Sequence, residues 1–266
     1  MERKRIEWTE EKSNRLYDYI AENPPLESSF FGYQVGEGVV NFLRYFVKDL
    51  EKKKVLDYGC GSGHILSHML KQGIHAYGVD MSSGQIELVN SRFQDNPFFG
   101  GGLIFDGQKL PYEDNFFEVI TCTEVIEHVL PKHMDLFLNE LYRILSENGT
   151  ILFTTPNNED FTKNEICCPE CNTVFHKHGH VNKYTKSSLR DLLENQGFET
   201  VMCETTNFYL FQQEKTTIAD LSIRRIVQRI KAGLKREKNT GSYTCEWFQK
   251  RINGGYAPNL FYIGTK

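Results

Sequence analysis

The chain has 266 residues, enough for one α/β domain with elaborations. Hydrophobic residues make up 39% and charged ones 25%, so a sizeable core can be buried and a chain too polar to fold is excluded. A formal net charge of -4 argues against a surface built for polyanions, and nucleic acid is an unlikely partner without a local basic patch.

The seven cysteines are odd in number, which argues against a disulfide framework and for a reducing compartment. The opening Met1-Glu2-Arg3-Lys4-Arg5-Ile6-Glu7 carries no apolar h-region, and no transmembrane segment is expected, so the expected location is the cytoplasm.

Along the chain, Leu16, Tyr17, Tyr19 and Ile20 predict a helix over 8–21 that stops at Asn23-Pro24-Pro25. Val39, Phe42, Leu43, Phe46, Val47 and Leu50 recur at helical spacing and predict a second helix over 39–50. Between them, Phe30-Phe31-Gly32-Tyr33-Gln34-Val35-Gly36 reads as an aromatic loop, either a lid over a ligand or core packing. From Lys53 onward strand, turn and helix alternate. Strands are expected over 54–58, 75–80, 103–106, 117–122 and 150–154, with helices over 62–72, 82–93 and 133–145. A polar insert rich in Cys and His covers 157–184, followed by a helix over 187–195 and a strand over 199–203. The chain closes on a basic amphipathic segment over 218–238 and a strand over 260–264.

Strands alternating with helices of this length imply parallel pairing and a doubly wound, Rossmann-like α/β sheet. Near-continuous apolar strands fit burial on both faces. The expected division is a helical cover over 1–50, a core over 51–206 carrying the insert, an acceptor cap over 207–258 and a final strand over 259–266.

The central signal is Val55-Leu56-Asp57-Tyr58-Gly59-Cys60-Gly61-Ser62-Gly63. Glycines directly after a strand let the backbone turn tightly and approach a ligand, and the following helix points its N–H groups at the same spot. Asp57 precedes the glycines, and Asp80 ends the next strand, where a carboxylate can accept hydrogen bonds from ribose hydroxyls. The spacing is G-x-G-x-G and not the dinucleotide G-x-G-x-x-G, which favours a ligand with a cationic amino-acid end over a pyrophosphate.

These residues resemble the signature loop of class I S-adenosylmethionine (SAM) methyltransferases. Val79-Asp80 is similar to their ribose-binding acid, and Asp106-Gly107-Gln108-Lys109-Leu110-Pro111-Tyr112 to their adenine-contact strand end. The resemblance covers roughly residues 50–205. It implies a mainly parallel seven-stranded sheet whose last strand is antiparallel. It also implies that Asp57, Gly59 and Gly61 line the methionine end of SAM, that Asp80 holds the ribose and that Asp106 faces the adenine amine. Cys60, Met81, Gly107, Thr123 and Glu124 complete the implied cofactor-binding set.

Glu124-Val125-Ile126-Glu127-His128 follows the fourth strand, at the end of the sheet where open α/β folds bind ligands. Three readings stay open at this point. The acids cap a helix in solvent, or His128 is a general base whose tautomer Glu127 holds, or the set binds a metal. The small-RNA 3′-terminal 2′-O-methyltransferases resemble this chain in having Glu-x-x-Glu-His joined by a later histidine. That resemblance implies Glu124, Glu127, His128 and His180 as ligands of Mg, Mn, Fe or Zn. The ubiquinone-biosynthesis O-methyltransferases share the Glu-His pair and the later histidine, so the cluster alone does not select RNA.

In the insert, Cys168-x-x-Cys171 has the spacing of half a zinc knuckle, which His176, His178 or His180 could complete; a reduced, metal-free lid is the alternative. His180 cannot serve two separate metal sites and is assigned to the Glu124 cluster. The basic residues of 223–238 form a solvated helix face, a phosphate contact or a peripheral membrane contact. The expected function is therefore O-methylation of a small polar acceptor, such as a sugar, phosphate-bearing or nucleotide-linked glycan precursor, with Glu127 and His128 as the catalytic pair. Metal-dependent RNA 2′-O-methylation and a non-catalytic SAM-binding module are the alternatives.

Overall fold

A computed structural model describes residues 3–23, 28, 30–105, 109–212 and 258–266. Asp106, Gly107, the basic segment over 218–238 and most of the cap over 207–258 lie outside the described residues. The described elements in chain order are β1 (Lys4–Arg5), α1 (Glu10–Ala21), α2 (Phe31–Phe46), β2 (Lys54–Tyr58), α3 (His64–Lys71), β3 (His75–Asp80), α4 (Ser83–Phe93) and β4 (Phe99–Ile104). They continue with β5 (Phe117–Thr123), α5 (Met134–Ile144), β6 (Leu145–Pro156), β7 (Glu165–Cys167), β8 (Thr173–His176), α6 (Lys186–Asn195), β9 (Glu199–Thr206) and β10 (Asn259–Thr265).

Seven strands form one sheet in the order β4-β3-β2-β5-β6-β10-β9. All neighbouring pairs are parallel except those of β10, which runs antiparallel to both β6 and β9. The expected antiparallel last strand is therefore present, and it sits between two others rather than at an edge. The period of two along each strand sends alternate side chains to opposite faces. Val55, Leu152 and Phe261 join one apolar core with α2, α3 and α4. Leu56, Ile151 and Tyr262 join the other with α5 and α6. Both faces are covered, as the apolar strands require.

Two elements depart from the sequence reading. The second helix begins at Phe31, so the expected aromatic loop forms the first turns of α2, and the helix ends at Phe46. Gly38 explains the exception to helix propensity: a Cβ there would stand 2.2 Å from the Phe208 carbonyl oxygen, so only glycine allows this close approach. The fourth strand is Phe99–Ile104 and not 103–106. Its Gly100 leaves room for the Tyr77 ring, whose nearest atom would lie 2.2 Å from a Cβ.

The helix starts are locally encoded. Thr9 caps α1, with Glu10 and Glu11 in the first turn, Ser82 caps α4 and Thr185 and Ser188 form a capping box on α6. Within the 157–184 insert, β7 and β8 pair as a hairpin, and β1 adds to β8 in parallel to make a small three-stranded sheet. This sheet lies beyond the end of β6, and Trp8 meets Phe175 edge-on at 6.3 Å. The insert and the N-terminal segment thereby come together over the ends of β5 and β6. No helix among the described residues is long and apolar enough to cross a membrane.

Candidate active site

β2 delivers Asp57 to the carboxyl end of the sheet, where its side chain is 1% exposed and Oδ1 accepts a hydrogen bond from Thr121 Oγ1 at 2.8 Å. Burial pushes the Asp57 carboxyl up to about 7, with Asp80 adding to the shift and Thr121 opposing it. The backbone then turns through Gly59, Gly61 and Gly63, all left-handed, at φ of 75°, 49° and 80°. At Gly59 a Cβ would collide with Val125 Cγ2 at 2.2 Å, while at Gly61 nothing lies within 4 Å. The first glycine admits a neighbouring side chain, and the second faces open space into which a ligand can come.

Asp80, at the end of β3, holds this loop from below. Its Oδ2 accepts from Gly61 N at 2.8 Å and its Oδ1 from Ser82 N at 3.0 Å. Burial raises its pKa, against those backbone hydrogen bonds. Cys60 contributes only backbone to the loop, because its thiol packs in the core beneath Gly78. Met81 is exposed next to Asp80, and Thr123 is buried at the end of β5. One buried and one half-buried carboxylate beside an open, left-handed glycine turn suit a ligand with a cationic amino-acid end and a diol.

The second half of the site follows β5. Glu124 takes φ of 53°, and its Oε1 accepts from Thr154 Oγ1 at 2.8 Å. Glu127 is 1% exposed, and neither of its carboxylate oxygens meets a hydrogen-bond partner. A buried carboxylate without a partner is expensive, so this group is the sharpest feature of the site. Burial, with the nearby Glu124 adding to it, pushes its pKa well up.

One donor atom each from Glu127, His128 and His180 lies within 4.8 Å of the other two, a spacing that could hold a metal ion. Glu124 is not in that set, since its carboxylate turns to Thr154 on β6. Of the four residues expected to converge, the structure brings together three. His128 Nδ1 is 2.6 Å from the Tyr17 hydroxyl on α1. Burial and His180 hold the His128 imidazole well below its usual pKa, so it is neutral at pH 7. The helix-cap reading with solvated acids does not hold for Glu127, which solvent does not reach.

Sequence reasoning missed two neighbours. In the sequence Tyr17 is only an apolar helix position, yet it packs edge-on against His128 at 5.5 Å. Glu159, immediately beyond β6, accepts from His176 Nε2 at 3.1 Å, His180 Nδ1 at 2.5 Å and Asn164 Nδ2 at 2.8 Å. Burial raises its pKa, but these donors outweigh it and hold the carboxyl below its usual range. No motif announced either residue. The insert cysteines are elsewhere: Cys167 Sγ bonds Asn172 and Cys171 Sγ bonds Thr173, and among the described residues no cysteine belongs to a three-donor cluster. His176 and His180 face Glu159, and among the described residues no three-donor set joins His178 to Cys168 and Cys171.

Residues 33–202 match the family model described as a methyltransferase domain. The ubiquinone biosynthesis O-methyltransferase of Histophilus somni is 30% identical over 135 residues, spanning 47% of this chain and 54% of that protein. The mitochondrial ubiquinone biosynthesis O-methyltransferase of Schizosaccharomyces pombe is 34% identical over 109 residues, or 39% of this chain and 38% of that one. The chain thus spans about half the length, or less, of these curated relatives. In fold, a SAM-dependent methyltransferase from Archaeoglobus fulgidus superposes with a TM-score of 0.56 at 20% identity, covering 91% of this chain and 98% of that one. The chain belongs to the methyltransferase-domain family, and its fold is that of the class I SAM-dependent methyltransferases.

Proposed function

We propose that this chain methylates a hydroxyl oxygen of a small polar molecule, with a sugar or a phosphate-bearing, nucleotide-linked glycan precursor as the first acceptor class. Bound SAM supplies an electrophilic methyl group on a sulfonium. The chain's own task is to orient that group against the acceptor and exclude water, since positioning dominates such a transfer. Asp57 and the 59–61 turn receive the methionine end, and Asp80 receives the ribose. The acidic net charge and the O-methyltransferase names of its relatives support a small hydroxyl acceptor over RNA.

The observation that carries the acceptor side is Glu127, a buried carboxylate with both oxygens unpartnered beside His128 and His180. Tyr17 engages His128 at Nδ1, whereas Glu127 has both oxygens unpartnered and is the free group of the expected catalytic pair. A divalent ion fits the Glu127–His128–His180 set, where it would lower the pKa of an acceptor hydroxyl. Without an ion, Glu127 itself is the general base, its free oxygens being the specific support for that second reading. Product formation after exhaustive dialysis against EDTA, assayed by mass spectrometry on panels of nucleotide sugars, catechols and RNA 3′ ends, separates these readings. Activity that requires added Mg, Mn, Fe or Zn selects the ion. Activity only on RNA, or on none of the panels, removes the small-acceptor proposal.

The donor side makes its own prediction. The free Asp57 titrates at about 7, and a cationic ligand favours its charged form. Affinity for SAM should therefore rise with pH up to that value, by up to about tenfold per unit, and level off above it. Donor-free stability should do the reverse. A carboxyl raised above its unfolded value loses its contribution as pH climbs from about 4 towards 7. Calorimetric titrations across this range, repeated with Asp57→Asn, should show the affinity slope vanish in the variant.

A further inference from the structure

The proton pattern around Glu159 can be worked out bond by bond. His176 Nδ1 accepts backbone N–H bonds from His178 at 3.4 Å and His180 at 3.2 Å, so its proton sits on Nε2 and is donated to Glu159 Oε1. Glu159 is an acceptor for all three of its neighbours, so His180 must donate to it from Nδ1. That fixes His180 as the Nδ1–H tautomer and leaves Nε2 with a bare lone pair. The ring itself is clamped, stacked on His176 at 4.3 Å and set edge-on to His128 at 4.7 Å. With Nδ1 committed to Glu159, Nε2 is the nitrogen His180 can offer to the Glu127 cluster.

We infer that Glu159 is the positioning residue of this site, a carboxylate that fixes the tautomer and ring plane of His180 so that Nε2 faces Glu127 and His128. The inference rests on the proposed reading of Glu127, His128 and His180 as the acceptor-side cluster. It deepens that reading by supplying the outer support that a ligating histidine needs, which usually comes from a carboxylate or carbonyl on its second nitrogen. Glu159 also explains why the insert folds back. One carboxylate joins the end of β6 to the end of β8 and to the turn carrying His180, so the hairpin is held where it delivers that ring. His176 is a second strut, bonded to Glu159 and stacked on His180, and has no free nitrogen for an ion.

The test is Glu159→Gln, which keeps the volume but offers one acceptor oxygen to three donors. Affinity for Zn²⁺ and Co²⁺, read by calorimetry and by the Co²⁺ visible spectrum, should fall about 10–100-fold. Nitrogen-15 shifts of His180 in the metal-free chain should move from pure Nδ1–H to a tautomer mixture. Unchanged metal affinity and an unchanged tautomer, with only a lower Tm, would make Glu159 a structural fastening and overturn the inference. If the unsubstituted chain binds no divalent ion, the metal reading fails by itself, and the His180 tautomer alone decides the role of Glu159. An ion lost in Glu159→Gln and in His176→Ala, but retained in Glu127→Ala, lies on the Glu159 side and also overturns it. Should Glu159→Gln not fold, Glu159→Asp, which keeps the charge but withdraws it by one methylene, carries the same readouts.

Discussion

Glu127→Gln should lower the turnover of methyl transfer by roughly 10²–10⁴-fold, the range for removing a positioned acid–base group, while making the protein more stable. The two effects have one source. The carboxylate is 1% exposed with no hydrogen-bond partner, so its charge costs free energy in the folded state, and a neutral amide costs less there. The gain should be about 1 kcal/mol or more, which for a domain of this size is roughly 2–4 °C in Tm. Its pH dependence has a definite sign. The folded carboxyl is raised above its unfolded value, so the cost is absent below about pH 4, where both forms are protonated, and grows as pH rises. The variant's advantage in EDTA-containing buffer should therefore disappear on acidification. A variant that is slower and also less stable at neutral pH would mean that Glu127 is a structural group, and the acceptor-side assignment would fall.

The second large effect belongs to Gly59. Alanine there must hold φ of 75°, at about 1–2 kcal/mol, and its Cβ must displace Val125 Cγ2 from 2.2 Å, at about 1–3 kcal/mol more. Gly59 N and Cys60 N both donate to the Val79 carbonyl, so a shift in this turn moves the whole loop against Asp80. Affinity for SAM should fall on the order of a hundredfold. The double variant Gly59→Ala, Val125→Ala should recover the steric part of the stability loss and none of the backbone part. Urea unfolding of the four chains gives the coupling directly. Additive losses would show that Val125 does not crowd position 59.

These effects divide along the line between what neighbours in sequence encode and what distant residues decide. β2 and β3 were legible because each is an apolar run that ends in acid or glycine, and the ligand end of a parallel sheet is where such runs stop. The start of α2 was not, because Gly32, Gly36 and Gly38 lower helix propensity, and the reason for one of them is the Phe208 carbonyl far along the chain. β4 was displaced for a similar reason, since Gly100-Gly101-Gly102 reads as a loop until the Tyr77 ring is placed on it. Glu127 and His128 could be chosen from their motif. That Glu124 turns to Thr154, and that Tyr17 and Glu159 complete the surroundings, depends on partners up to 111 residues away, and no local pattern carries that.

Helix α1 joins the two halves of the site through consecutive residues. Tyr17 holds His128, and Asp18 accepts from the Ser82 hydroxyl beside Asp80. A rigid rod cannot let go at one of these points and stay fastened at the next, so lifting it unlatches both. The acceptor-side histidine and the loop beside Asp80 are therefore braced by one helix, and a shift of that helix disturbs both together.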